Sequence, residues 1–335
     1  MHKRSLPVVT ALAALAGLAL PAFSQLIPDR LYTPVGRALP VSVRAPEGQQ
    51  GALSIKLLEP VTAKEKAKAE ITPGPNGKID LGKVFPAIWT DKNPTLVYAQ
   101  LFAGETPIGP ALVVQPLTDP GMARAVNDGT GRPRIVFDAP PPEQRTMSGV
   151  RTYTDKHVVI ETTQGQIEFR LRPDEAPNTV WNFMHLVDGG FYSDIKVHRI
   201  VPTGSGGQPF VFQFGCPLGD GRGGPGYQID LEPSKLKHDF GVLSMARTND
   251  PNTNGSQVFV CLSREATSFL DGLYTAFGEA VKGEDTIVKI QNVELAGPQT
   301  PKDPPVITSA KLIDAPPYGT GPKPVARPAA PAPAR

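Results

Sequence analysis

The run "FGVLSMARTNDPNTNGSQVFV", from Phe240 to Val260, sets Asn, Thr, Asp, Pro and Gly between two apolar stretches. Such residues form turns, and they also present amides, hydroxyls and main-chain groups to whatever docks beside them. Upstream, "VHRIV" and "PFVFQFG" carry Arg199 and Gln213 inside strand-like apolar runs, and Phe210 and Phe259 lie in runs of the same kind. A permanently charged guanidinium, an amide and aromatic rings suit non-covalent recognition of a main chain beside an apolar seat. Taken singly, these residues read as a surface arginine and core phenylalanines. Their joint occurrence is what raises them to site candidates.

Other chemistries lack their signatures. "GDGRGG" at positions 219–224 has dinucleotide-loop spacing, but Pro225, Tyr227 and an extended run follow where a helix is required. There is no Gly-x-Ser-x-Gly elbow. His157, His185, His198 and His238 share no ligand spacing, and there is no Cys-x-x-Cys, so no metal is expected. "NGS" at positions 254–256 is a glycosylation pattern of the short kind that recurs by chance. Cys261 sits in an apolar run and reads as a buried thiol; whether it pairs with Cys216 stays open.

The elements around these residues are mostly short strands. "HVVIETTQGQIEFRL" reads as a hairpin about Gln164-Gly165, with Val158, Ile160, Ile167, Phe169 and Leu171 at period two. "PDEAPNTVWNFMHLVDGG" reads as a helix with Asn178 as N-cap and Gly189-Gly190 as its stop. Further strands follow in "IKVHRIV", "PFVFQFG", "GVLSMAR", "SQVFVCL", "YTAFGEAV" and "VITSAKLI", with a second helix in "EDTIVKIQNV". Many antiparallel strands with two helices point to a closed barrel plugged at its ends.

Residues 25–117 read as a separate β-rich unit of immunoglobulin-like type, with "TAKEKAKAE" as a charged turn or short helix. Its partner is unknown. Residues 118–155, rich in Gly, Pro and charge, read as a linker with one strand at "RIVF". Residues 315–335 are rich in Pro and Ala and read as a disordered tail. Residues 1–24 have a basic start at Lys3 and Arg4, an apolar run from Leu6 to Leu20 and a small-x-small end at Ser24. They read as a signal peptide, so the mature protein is expected outside the cytoplasm. With 34 Lys plus Arg against 32 Asp plus Glu, the chain offers no basic excess for nucleic acid, and no second segment reads as a membrane span. Its 38 prolines favour strands and turns over long helices.

In sequence order, "VHRIVP", "PFVFQFGCPLGDGRGGPGY", "FGVLSMARTNDPNTNGSQVFV" and "FLDGLYTAFGEAVKG" together resemble the cyclophilin family of peptidyl-prolyl isomerases, over about Lys156 to Ile313. The resemblance implies a mainly β fold, an eight-stranded antiparallel barrel with two helices spanning 156–314. It implies that Arg199 is the catalytic arginine, Phe210 the pocket phenylalanine and Gln213 the active-site glutamine. Val211 replaces a methionine between them. Ala246 and Arg247 fall on a Met-Ala-Asn motif, with arginine for asparagine. Gln257, Phe259, Phe269 and Leu270 match pocket positions, Phe269 in place of a tryptophan, and Tyr274 replaces a histidine. Losing the indole N–H at Phe269 bears on cyclosporin binding more than on catalysis. Cys216 stands where the family often has aspartate.

The implied reaction is rotation about an X-Pro bond, which needs neither covalent chemistry nor a cofactor. Rotation breaks amide resonance at a barrier of about 18–20 kcal/mol. A donor at the proline nitrogen, an apolar seat for the ring and grips on the flanking backbone would lower it. Arg199 is the expected donor, Phe210, Val211, Phe259 and Leu270 the seat, and Arg247, Asn252, Thr253, Asn254 and Gln257 the backbone grips. The expected partners are proline-containing peptides and folding polypeptides. The alternative is a scaffold or peptide-binding module that grips proline segments without turning them over.

Overall fold

A computed structural model describes residues 25–45, 52–74, 76–119, 121–127, 129, 133–141 and 144–328. The leader lies outside these residues. The C-terminal half is a barrel built from β1 (Lys156–Thr162), β2 (Gly165–Leu171), β3 (Arg199–Val201), β4 (Val211–Phe214), β5 (Val242–Met245), β6 (Val258–Cys261), β7 (Ala276–Lys282) and β8 (Val306–Asp314). Sheet order is β8-β1-β2-β7-β5-β6-β4-β3, and every pairing is antiparallel. The short strand Ile195–Lys196 pairs with β8, and after a break at Val197 and His198 the same segment continues as β3. That one segment joins both edges of the sheet and closes the barrel, leaving no edge exposed.

Period two sets the core. Val158, Ile160, Ile167, Phe169 and Leu171 all point into the barrel and are at most 3% exposed. The β1–β2 turn is Thr163-Gln164, one residue earlier than the sequence suggested, because Thr162 pairs directly with Gly165. Gly165 is required by close approach: a Cβ there would sit 2.5 Å from Thr286 Oγ1 on helix α2 (Glu284–Gln291).

Helix α1 (Pro177–Asp188) buries Val180, Phe183, Met184 and Val187. Asn178 is not its cap. Ala176 holds that place and Pro177 opens the first turn. The free N–H groups of Asn178 and Thr179 donate to the Glu232 carboxylate at 3.0 and 2.6 Å. This carboxylate comes from a distant loop and meets the positive end of the helix.

The N-terminal unit is β-rich, but its strands divide seven against three rather than in an immunoglobulin partition. The seven-stranded sheet runs Tyr32–Pro34, Gly149–Thr154, Leu112–Leu117, Val97–Ala103, Leu53–Leu58 and Glu65–Glu70, with Thr106–Pro107 on the side. The charged "EKAKAE" is therefore an edge strand, where alternating Lys and Glu deter further pairing. The presumed linker is corrected too. Gly149–Thr154 is an interior strand of this sheet, and Met122–Asn127 with Pro133–Asp138 forms a separate hairpin.

Both faces of this sheet are covered. Val97, Ala99 and Leu101 face the unit's own core, while Tyr98 between them joins the barrel core. Tyr153 likewise meets Trp181 of α1, with ring centroids 5.3 Å apart. The tail is ordered across this seam as far as Pro328. Tyr318 stacks on Tyr98 at 3.7 Å, its N–H donates to Gln100 Oε1, and its hydroxyl accepts from the Val61 N–H. Farther on, the Val325 N–H donates to the Ala280 carbonyl, and Arg327 donates to Leu262 and Gln291. Composition alone missed this because tyrosine and arginine anchors hold a segment that prolines cannot. Cys216 and Cys261 are both buried and free.

Candidate functional site

Alternation along three barrel strands makes the site. Ile200, Phe212, Phe214, Val258 and Val260 point inward, so their neighbours Arg199, Val211, Gln213 and Phe259 stand on the outer face. Register then aligns them: Arg199 lies opposite Gln213, Gln213 opposite Phe259, and Phe259 opposite Ser244. One row of adjacent strands thus holds a cation, an amide and an aromatic ring. Leu270 follows the short helix Arg264–Thr267, which Ser263 caps through its hydroxyl to the Ala266 N–H. The result is a 110 Å³ hollow lined by Arg199, Phe210, Val211, Gln213, Ala246, Arg247, Phe259, Leu270 and Tyr274.

A chain of hydrogen bonds orients the polar side of the hollow. Arg199 Nη1 donates to Gln213 Oε1 at 3.2 Å, and Gln213 Nε2 donates to Gln257 Oε1 at 2.8 Å. Gln257 Nε2 ends the chain on the carbonyls of Gly221 and Gly223. The glycine loop that looked like a phosphate cradle is therefore a clamp on the site. Cys216 steadies it, its Sγ accepting from the Gly223 N–H at 3.1 Å. At the other end Arg199 Nε donates to Gln299 Oε1 at 2.7 Å. Burial lowers the Arg199 pKa from its ordinary value, yet an arginine remains a cation at any working pH.

The apolar side is braced from behind. The His238 ring lies nearly parallel to Phe259 at 6.0 Å. Its Nε2 meets Ser244 Oγ at 2.9 Å and its Nδ1 meets Asp271 Oδ1 at 3.1 Å. This is the outline of a hydrolytic triad, but Ser244 is fully buried and nothing can reach it. Burial also lowers the His238 pKa, which keeps the ring neutral.

The family model for "Cyclophilin type peptidyl-prolyl cis-trans isomerase/CLD" matches residues 157–312. A Synechococcus elongatus peptidyl-prolyl cis-trans isomerase is 42% identical over 126 residues, which cover 38% of this chain and 81% of that protein. This chain belongs to the cyclophilin-type peptidyl-prolyl cis-trans isomerases. Isomerase B of Bacillus subtilis is 40% identical over 129 residues, covering 38% of this chain and 84% of that protein. A crystal structure of a Cryptosporidium parvum cyclophilin-type isomerase is 32% identical, covers 48% of this chain and 99% of its own, and has a TM-score of 0.44. The N-terminal unit lies outside the residues that the family model matches.

Within this cyclophilin, the expected residues fall into three groups. Arg199, Phe210, Val211, Gln213, Ala246, Phe259, Leu270 and Tyr274 line the hollow as the sequence suggested. Phe269 stands at its rim, 57% exposed, with its ring stacked on Phe210 at 5.7 Å. Gln257 and Asn254 line an adjoining pocket of 610 Å³ instead, which shares Gln213, Ala246 and Arg247 with the hollow.

The polar loop works differently from the expectation. Arg247 gives its guanidinium to the Thr248, Asn249 and Leu273 carbonyls and lies 4.3 Å over the Tyr274 ring. Asn254 is 1% exposed and its amide holds the Pro251 and Ile229 carbonyls, which also closes the glycosylation reading. Thr253 bonds Thr248 and the Asp250 carbonyl. These side chains build the groove wall and leave the adjoining main chain to face the pocket. Gln299 escaped sequence reasoning altogether. It lies in an irregular loop before β8, and no pattern announces a glutamine that folds back onto Arg199.

Proposed function

We propose that this cyclophilin accelerates X-Pro isomerisation in exported polypeptides, with Arg199 steadying the twisted amide. The observation that carries the reading is the row Arg199–Gln213–Phe259 set by strand register, beside the hollow. As the X-Pro bond leaves planarity, the proline nitrogen regains its lone pair and becomes an acceptor. Arg199, held at Nε and Nη1 by two glutamines, is pre-aimed to donate there. Donors fixed in advance favour the twisted form over either planar isomer, and that difference lowers the barrier. Phe210, Phe259 and Leu270 seat the ring, which excludes water and strengthens the cation's effect. Main-chain grips make selectivity for residues around the proline loose. Support for exported clients comes from the leader at residues 1–24.

A protease-coupled assay on a four-residue Xaa-Pro peptide tests the mechanism. Wild-type turnover that Arg199→Ala abolishes, with the fold retained, supports it; turnover unaffected by that change removes Arg199 from the mechanism. Cell fractionation of chains with and without residues 1–24 tests the location. Identical distribution of the two would sink the exported reading.

A further inference from the structure

The hairpin Met122–Asn127 with Pro133–Asp138 belongs to neither the N-terminal sheet nor the barrel. Its register pairs Ala123 with Phe137 and Ala125 with Ile135. The Ala123 carbonyl accepts from Asn252 Nδ2 at 2.9 Å, so Ala123 turns its polar groups out of the ladder toward the barrel loop. In antiparallel pairs, outward and inward residues alternate along each strand, and a residue opposite an outward one also faces out. Ala125 therefore faces out on the loop side, and Ile135 and Phe137 face out on the far edge. Among the described residues, that far edge has no strand beside it.

The hairpin's side chains are equally unclaimed. Ile135, Val136 and Phe137 are half-buried, yet none belongs to the three apolar clusters or packs on them. Met122 is 61% exposed. A two-stranded ribbon with apolar residues and an open edge is a ready template for a further strand. Its position says which strand. Asn252 belongs to the loop whose Thr248, Thr253 and Asn254 line the pocket beside the hollow, so the hairpin continues the groove wall. A residue preceding proline is itself restricted to extended conformations, so a chain entering the hollow arrives already strand-like.

We propose that the Pro133–Asp138 edge docks an extended, non-native polypeptide by strand addition while a proline of the same polypeptide occupies the hollow. This rests on the isomerase reading above and names its substrate class: unfolded chains longer than the hollow alone can grip. Main-chain pairing at the edge is sequence-tolerant, which suits many clients.

Two full-length variants test it. Ile135→Pro deletes the outward N–H and leaves the bonds within the hairpin intact, as proline on an edge strand does. Ile135→Lys keeps the main chain and guards the edge with charge. Each is assayed on a four-residue Xaa-Pro peptide and on the proline-limited refolding of an unfolded protein. Losing one or two main-chain bonds should cut refolding catalysis about fivefold to tenfold in both variants, with tetrapeptide turnover unchanged. Full refolding catalysis in both variants overturns the docking edge and leaves the isomerase reading standing. A parallel loss on both substrates also overturns it, because the hairpin would then act on the hollow through Asn252. Wild-type protein inactive even on the tetrapeptide would end the isomerase reading instead, and the docking proposal with it.

Discussion

The hollow and the seam between the two units are held together by different means. In the hollow, the decisive neighbours sit on adjacent strands, and register alone brings Arg199, Gln213 and Phe259 into one row. At the seam, partners come from remote parts of the chain: Tyr318 on Tyr98, Tyr153 on Trp181, and Asp155 buried beneath the tail. The first arrangement follows from alternation once the strands are known. The second depends on the whole fold forming, so it should govern stability while the hollow governs rate.

The largest test of that division is Arg199→Ala. It should reduce kcat/KM on a short peptide about 100-fold to 1,000-fold, as removal of a fixed transition-state donor does, with the unfolding midpoint unmoved. Tyr318→Ala should do the reverse. Losing a stacked, hydrogen-bonded aromatic should lower unfolding free energy by about 2–3 kcal/mol in a denaturant titration. Tetrapeptide turnover should stay at the wild-type level; a matching loss of activity would erase the division.

Gln299→Ala is a finer probe of the hollow. Freeing the Arg199 Nε should lower kcat about fivefold to tenfold with KM unchanged, and Gln299→Glu, which keeps the acceptor, should recover most of it. The smallest effect concerns Asp155. Burial pushes its carboxyl from 3.8 up to about 7. The folded protein thus keeps a proton that the unfolded chain releases above about pH 4, so this group costs stability as pH rises from about 4 to 7. Asp155→Asn should therefore raise Tm by a few degrees at pH 8 and leave it unchanged at pH 4. An equal rise at both values would assign the gain to packing rather than charge.

Legibility in the sequence follows the same divide. The barrel strands, both helices and most of the hollow's lining were readable, because period-two alternation and linked motifs are local signals. The helix cap was not, since Glu232 supplies from far away what Asn178 was expected to supply. Arg247 and Asn254 were expected to face a peptide, but nearby carbonyls compete for their donors and win. The strand Gly149–Thr154 was hidden by the Gly- and Pro-rich excursion before it, although both its neighbours are apolar strands. Tail composition pointed to disorder because two anchoring side chains weigh little in an average over many prolines.

The placement of Tyr318 has a consequence for biogenesis. The residues that fasten the two halves come after both in chain order, so neither half can be locked to the other until synthesis has passed position 318. A nascent chain stalled earlier would carry a completed barrel with Tyr98 unshielded, and quality-control proteases would meet it as two loosely tethered bodies.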